Sequence, residues 1–163
     1  MALWIVRAGK HGEYEYINFT QSIVSIDWSR LNDLSAISDK QELVNLIKYA
    51  YHEERERTRI NWATQVWTFL NKISIGDIIA LPLKKRAIIA LGEISGGYRF
   101  SESNPSGARH IRPVKYWAEF SKGEFAQDIL NSFQSQSTVC NVNRNNAEER
   151  VRLIYRAGQI PTK

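Results

Sequence analysis

The chain has 163 residues, 43% of them hydrophobic, which fits one domain with a real core and argues against disorder or two full-sized domains. Lysine and arginine number 22 against 17 aspartate and glutamate, so the net charge of +5 favours an anionic partner. A single cysteine excludes an intramolecular disulfide framework and a thiolate zinc cluster, and three histidines supply an all-protein zinc site poorly.

No apolar run approaches the roughly 20 residues that span a bilayer, and the N-terminus has too short an apolar core for a signal peptide. We therefore expect a soluble cytoplasmic protein without a membrane partner. Aromatic residues make up 11% of the chain and include five tryptophans. Rings combined with positive charge indicate a surface for stacking bases, although Trp4 and Trp67 lie in periodic apolar stretches and are predicted to be core.

The first segments of the chain predict strands. Apolar runs with β-branched residues predict strands over Leu3–Ala8 and Ile23–Trp28. Between them, residues 13–17 alternate charged and aromatic side chains at period two. The second strand carries Ser25 and Asp27 on one face, which places polar groups in a segment otherwise suited to burial.

Two helices are predicted next. Ser38 and Gln41 have the spacing of a capping box, and apolar residues at helical spacing extend this helix to about Tyr51. The mixed charges of residues 52–59 indicate a solvated connection. A second helix is predicted to begin at Asn61. Its buried stripe consists of Ala63, Val66, Trp67, Leu70 and Ile73, and Gly76 ends it.

The middle of the chain is rich in predicted strands. Asp77–Leu83 and Ala87–Ile94 are almost continuously apolar, as strands covered on both faces are. The loop Ser101–Gly107 precedes a long strand, Arg109–Phe120, in which Pro113 indicates an edge or a bulge.

The end of the chain returns to helices. A capping box at Ser121 and Glu124 predicts one helix, and Asn146 with Glu149 caps a last helix that Gly158 ends. Between the helices lies a short apolar piece at residues 139–140. The order of these elements predicts an α+β fold around a small curved sheet or barrel, as a single domain over residues 1–163.

Motifs for catalysis, metal binding or phosphate cradling are absent from the sequence. It contains no Gly-x-Ser-x-Gly elbow, no phosphate-binding Gly-Lys-Ser/Thr loop and no His-Glu-x-x-His. Glu93 follows an apolar strand but lacks the lysine of metal-dependent nucleases. The apolar context of Cys140 predicts an inert buried thiol. We therefore expect a binding domain without a cofactor rather than an enzyme.

An extruded base must be held between flat apolar faces and hydrogen-bonded along its edge. Trp28 beside Asp27, and Trp62 beside Asn61, supply such parts. Trp117 stays open, since its strand face also carries a lysine.

Positive charges cluster in two places and predict contacts with phosphate. One cluster is a hairpin tip formed by Lys84, Lys85 and Arg86; the other flanks the long loop and consists of Arg99, Arg109, His110 and Arg112. A basic tip also serves as a solubility device on a sheet edge, so both interpretations stay open for the first cluster.

Five sequence segments carry a family resemblance. They are Leu3–Gly9, Asn61–Trp67, Gly76-Asp77, Gly92–Ile94 with Gly97-Tyr98, and His110–Lys115. In this order they resemble the N-terminal domain that precedes the nuclease domain of Mrr-like restriction endonucleases, over roughly residues 3–154. More remotely they resemble the PUA-like superfamily, which includes the EVE and YTH domains. The resemblance implies a curved, barrel-like sheet of five to six strands with flanking helices.

The resemblance also implies a function. Such domains bind nucleic acid, and several flip a methylated or hydroxymethylated base into a pocket of aromatic rings, an aromatic cage. Carried over to this chain, the cage would consist of Trp28 and Trp62, with Asp27, Ser25 and Asn61 reading the base edge and Tyr98 near the mouth.

We therefore expect a reader of modified bases that targets a modification-dependent restriction system. DNA is the expected partner, with modified cytosine first and methyladenine second, and a nuclease domain or subunit would act beside it. The alternative is an RNA-binding module for modified or single-stranded RNA. An enzyme with an unrecognised site and a docking domain are further alternatives.

Overall fold

In the computed structural model, which describes residues 2–135 and 137–159, seven strands form one mixed sheet. The strands are β1 (Leu3–Val6), β2 (Ile23–Ile26), β3 (Ile78–Pro82), β4 (Ile88–Ile94), β5 (Arg99–Phe100), β6 (His110–Ser121) and β7 (Val139–Asn141). The α-helices are α1 (Glu15–Gln21), α2 (Lys40–Ala50), α3 (Glu56–Trp67), α4 (Gln127–Ser132) and α5 (Ala147–Gln159). A π-helical turn, Thr68–Lys72, continues α3. The combination of these strands and helices confirms the predicted α+β class.

Six strands follow one path in the order β2-β6-β4-β3-β1-β7, and β5 pairs with β6 beside it. β1 runs parallel to β3, whereas the other pairs are antiparallel. The long strand β6 pairs with β2 at its start and with β4 along the rest of its length. Because β1 also contacts β2 across three intervening strands, the sheet curls, as predicted.

Helices cover both faces of the sheet. One core cluster joins α2 and α3 to the inward faces of the strands, through residues such as Val24, Ile26, Ile79, Leu43 and Val66. A second cluster joins α4 and α5 to the other face, through residues such as Leu3, Ile5, Leu91, Ile129 and Val151. Double coverage explains why β1, β3 and β4 are almost continuously apolar.

The two tryptophans predicted to be core differ in how deeply they are buried. Trp4 is buried, whereas Trp67 is half-buried and packs against the edge of the α2–α3 cluster. Trp117, left open by the sequence, stacks on Tyr155 of α5 with ring centroids 4.1 Å apart.

Several predicted boundaries are wrong in the first half of the chain. Residues 13–17 run into α1, in which Glu15 and Asn18 are buried at a spacing of three while Tyr16 is 81% exposed, so burial does not follow the period-two alternation. The N-cap of α2 is Asp39 rather than Ser38, and it accepts a hydrogen bond from the backbone N–H of Glu42.

Helix α3 begins at Glu56, inside the charged run, instead of at Asn61. The glutamates and arginines of this run are good helix formers, so it is a connection only over residues 52–55. Trp62 therefore lies within the helix and does not open it.

Three predictions in the second half also need correction. The capping box at Ser121 is present, but it caps a 3₁₀ turn, Lys122–Glu124, and α4 starts only at Gln127. Pro113 lies in an internal strand, where β6 passes from β2 to β4, and the irregular pairing falls instead between Leu91 and Gly92. Helix α5 extends past the predicted stop at residue 158.

The Gly76-Asp77 step fixes the start of β3 relative to β1. Gly76 has φ +92°, and the buried carboxylate of Asp77 follows it. This carboxylate accepts hydrogen bonds from the Trp4 indole Nε1 at 2.8 Å, the Ser74 N–H at 2.8 Å and the Ala2 N–H at 3.1 Å. One side chain thereby holds the parallel pair in register.

Asp77→Ala should therefore destabilise the fold by about 3 kcal/mol or more, because it leaves three N–H donors without their acceptor. Urea unfolding measures the difference. The matched control is Glu102→Ala, at an exposed loop residue, which should change the free energy of unfolding by no more than about 0.5 kcal/mol. Equal stabilities of the two variants would contradict the role of Asp77.

Candidate nucleic-acid interface

The two predicted cage tryptophans meet on the α2–α3 side of the sheet. Trp28 follows β2, and its ring lies edge-to-face against Trp62 of α3, with centroids 6.1 Å apart and an interplanar angle of 71°. Tyr51 contacts Trp62 in the same way, at 5.2 Å and 81°. We call Trp28, Tyr51 and Trp62 the aromatic cluster. Because its rings touch edge-to-face, it offers no gap between parallel faces for a base, and a role in base binding stays a prediction.

The polar residues predicted to read the base edge do not lie together beside the aromatic cluster. Ser25 is buried and donates its hydroxyl to the Asn18 Oδ1 at 2.9 Å, on the sheet face opposite Val24 and Ile26. Asn61 is exposed and accepts a hydrogen bond from the Gln65 side chain at 2.7 Å.

His110 lies at the centre of a buried hydrogen-bond network. Its Nε2 is 3.2 Å from the Trp28 carbonyl oxygen, and its Nδ1 is 2.7 Å from the Tyr98 hydroxyl. Since a carbonyl only accepts, Nε2 carries the proton, and Nδ1 accepts from Tyr98, which itself accepts from the Leu34 N–H at 3.1 Å. The network holds the loop after β2 in place.

Burial shifts the pKa of both titratable groups of this network, Tyr98 and His110. It raises the pKa of Tyr98 to about 12 and lowers the pKa of His110. A fully buried His110 with both ring nitrogens engaged is not positioned to contact phosphate, so that prediction is corrected.

Arg112 is likewise a structural residue and not a phosphate contact. Its guanidinium is buried and donates to the carbonyl oxygens of Gly96 at 3.0 Å, Phe69 at 3.1 Å and Ile73. These bonds join β6 to the π-helical turn and to the turn after β4.

The remaining predicted cations stand at the surface, two of them with protein partners. Arg86 pairs with Glu119 at 3.0 Å, and Arg109 donates to the Asn104 carbonyl at 3.0 Å. Lys84, Lys85 and Arg99 are exposed. Phosphate contact by these residues stays a prediction.

A cavity of about 840 Å³ opens between the β1–α1 loop, the end of β2, the β3–β4 hairpin and α4. Its charged lining consists of Arg7, Lys10, Lys84 and Lys122 with Glu13 and Asp27, and its apolar wall includes Leu83, Ile89, Leu130 and Phe133. We call it the basic cavity. It contains three residues that the sequence singled out, Ser25, Asp27 and Lys84.

Tyr14 supplies an aromatic ring to the basic cavity, and two glycines make room for it. A Cβ on Gly107 would lie 1.7 Å from the Tyr14 hydroxyl oxygen, and one on Gly9 would lie 3.1 Å from its ring. The hydroxyl is 3.4 Å from the Asp27 Oδ2. Burial and the neighbouring Asp27 raise the pKa of Tyr14, so the hydroxyl keeps its proton and can donate.

The walls of the basic cavity are fixed by two long-range contacts. The buried Glu15 accepts a hydrogen bond from the Lys84 N–H at 2.7 Å, which anchors the hairpin tip to α1. Arg7 donates to the carbonyl oxygens of Phe133 at 2.6 Å and Ser135 at 2.7 Å, which joins β1 to the segment after α4.

Sequence reasoning missed Tyr14, Lys10 and Arg7 as members of a site. A signal was present, because two glycines, a lysine and a tyrosine follow the first strand within one loop, and loops often carry binding residues. Gly9 and Gly12 both adopt positive φ, +88° and +77°, which this turn requires.

Other features of the described residues bear on the function classes. Cys140 is half-buried rather than fully buried, with its Sγ 3.3 Å from the Asn141 carbonyl oxygen. Residues 2–135 and 137–159 contain no group of three or more His, Cys, Asp or Glu side chains placed to hold a metal ion. No helix within these ranges is long and apolar enough to cross a membrane.

The His110 network predicts a pH dependence of stability. Burial lowers the pKa of His110 in the folded state, whereas in the unfolded chain it returns to about 6.5. As the pH falls below about 6.5, the unfolded chain binds a proton that the folded chain does not. The free energy of unfolding should therefore fall by up to about 1.4 kcal/mol per pH unit until the folded-state pKa is reached.

Urea unfolding between about pH 7 and pH 5 tests this, above the range in which carboxylates titrate. His110→Gln should reduce the slope of the free energy of unfolding against pH by the contribution of about one proton. His11→Gln, at an exposed histidine, should leave the slope as in the wild type. Parallel pH profiles for wild type and His110→Gln would contradict the assignment.

Comparisons with known proteins give a matching family model and similar chains among the solved structures. No curated protein is significantly similar to the chain. The crystal structure of the MmI1 YTH domain superposes with a TM-score of 0.48 at 8% sequence identity, covering 98% of each chain. The resemblance to Mrr-like enzymes stays a prediction.

A protein-family model with the description "Domain of unknown function (DUF8426)" matches residues 4–143, which include every residue lining the basic cavity. Since the match covers most of the sequence, the chain belongs to this family.

Proposed function

We propose that this domain binds nucleic acid and reads a modified base, which is turned out of its strand into the basic cavity. The observation that carries the proposal is the cavity itself, at about 840 Å³ with a basic lining and the ring of Tyr14 in its wall. Small-molecule and cofactor sites typically measure about 300–1,000 Å³, so a nucleotide fits.

The charges of the basic cavity favour an anionic ligand. Lys10 and Lys84 are exposed at its rim, and Lys85 continues the positive charge along the hairpin tip. Such side chains hold phosphates on either side of an extruded nucleotide without reading its sequence.

The neutral part of the lining suits a base that carries a methyl group. Tyr14 offers a ring for stacking, and Leu83, Ile89 and Phe133 provide an apolar wall. One buried methyl contributes about 1 kcal/mol, so we expect a modified base to be preferred by a factor of several over its unmodified form.

The identity of the nucleic acid rests on the sequence resemblance. We propose DNA with methylated or hydroxymethylated cytosine first and methyladenine second, as the targeting part of a modification-dependent restriction system with a nuclease domain or subunit. The alternative is modified or single-stranded RNA. Binding measured on matched DNA and RNA, each with and without the modification, separates these outcomes, and equal affinity for all of them would contradict base reading.

The aromatic cluster is the second place where a base could stack. Trp28 and Trp62 are only partly buried, but they would have to separate before a base could enter between them. The basic cavity is favoured because it is open as it stands.

Removing charge at the rim should weaken binding to every sequence. Lys10→Ala combined with Lys84→Ala should reduce the slope of log K against log salt by about 0.9 for each phosphate of duplex DNA that these lysines neutralise. Lys48→Ala, at an exposed lysine of α2 outside the cavity, is the matched control and should keep the wild-type slope. An unchanged slope in the double variant would place the phosphate contacts elsewhere.

Removing the ring of Tyr14 separates the two candidate stacking sites. Tyr14→Ala should lower the affinity for the modified oligonucleotide by about 1–3 kcal/mol, the range for removal of one base–aromatic stack. Trp62→Ala should leave the preference for the modified base intact. The opposite pattern, measured on variants with wild-type circular dichroism, would move the base to the aromatic cluster.

A further inference from the structure

We infer that the base held in the basic cavity carries an exocyclic amino group, and that Asp27 reads it. This inference rests on the proposed function and deepens it by naming the chemical class of the base. Cytosine and adenine carry an amino group at the position where uracil and hypoxanthine carry a carbonyl oxygen.

Asp27 is placed to meet a ligand. It follows β2, its side chain is exposed, and it lines the basic cavity beside the ring of Tyr14. Within residues 2–135 and 137–159, its hydrogen-bond partner is the Tyr14 hydroxyl, at a long distance of 3.4 Å. The carboxylate therefore retains capacity to accept further hydrogen bonds.

The second acidic residue of the cavity and the serine on the same strand face as Asp27 are engaged by the protein. Glu13, the second acidic residue of the cavity, accepts a hydrogen bond from the His11 N–H and lies against Gly9, within the turn after β1. Ser25 is buried and bonded to Asn18. Asp27 is thus the acidic group of the cavity that is best placed for a base edge.

A carboxylate discriminates between base edges because it accepts hydrogen bonds and cannot donate them. The amino groups of cytosine N4 and adenine N6 donate to it. The carbonyl oxygens of uracil and hypoxanthine would face it with a second acceptor, which leaves both groups desolvated and unpaired. A single N-methylation keeps one N–H, so N6-methyladenine and N4-methylcytosine stay compatible, whereas a dimethylated amino group does not.

Single-stranded oligonucleotides with one variable position test this without the contribution of base pairing. Wild type should bind cytosine at least about tenfold more tightly than uracil, and adenine at least about tenfold more tightly than hypoxanthine. Asp27→Asn should lose or reverse both preferences, because the amide of asparagine also donates to a carbonyl oxygen. Asp27→Ala should lose the preferences, because it removes both the acceptor for the amino group and the repulsion of the carbonyl oxygen.

Glu102→Gln is the charge-matched control, since Glu102 is exposed and does not line the basic cavity, and it should keep the wild-type preferences. Equal unfolding midpoints in urea establish that the variants are folded. Binding with no amino preference, or with a preference that Asp27→Asn leaves unchanged, overturns this inference while the proposed function stands. Failure of wild type to bind any oligonucleotide at low salt overturns the proposed function, and this inference with it.

Discussion

The buried guanidinium of Arg112 ties the helical layer and the turns of this domain to its sheet. A charge removed from water is tolerated only when its donors are satisfied, and here backbone carbonyls from two separate turns satisfy them. His110, two residues earlier on the same face of β6, binds the loop after β2. The buried side chains of His110 and Arg112 therefore fix the position of the α2–α3 layer and of the connecting turns relative to the sheet.

The two residues that follow β2 lie at two different surfaces. Asp27 and Trp28 directly follow β2; Asp27 lines the basic cavity, whereas Trp28 packs in the aromatic cluster. Trp28 has φ +24°, an uncommon value for a large side chain, and its carbonyl accepts from both His110 and the Leu31 N–H. The sheet thus separates the carboxylate from the indole instead of combining them in one pocket.

Strands β1, β3 and β4 could be predicted from the sequence because their burial on both faces leaves an almost unbroken apolar run. Helix α1 could not, because its buried positions are occupied by Glu15 and Asn18, which look like surface residues in a sequence. His110 and Arg112 were assigned to phosphate for a similar reason: residue type shows their charge, but only the fold shows that β6 is internal there. Asp27 can be proposed from the sequence through its neighbour Trp28, whereas the position of Tyr14 in the cavity depends on Gly9 and Gly107, which lie far apart in the sequence.

The parallel pairing of β1 with β3 affects how the chain acquires its structure. β1 lies between β3 and β7, so it has no neighbouring strand to pair with until residue 78 and later residues are available. The α2–α3 pair and the β3–β4 hairpin, by contrast, consist of contacts close in sequence. Long-range pairing of this kind slows folding. We therefore expect β1 to be among the last elements to pair, and with it the wall of the basic cavity that follows β1.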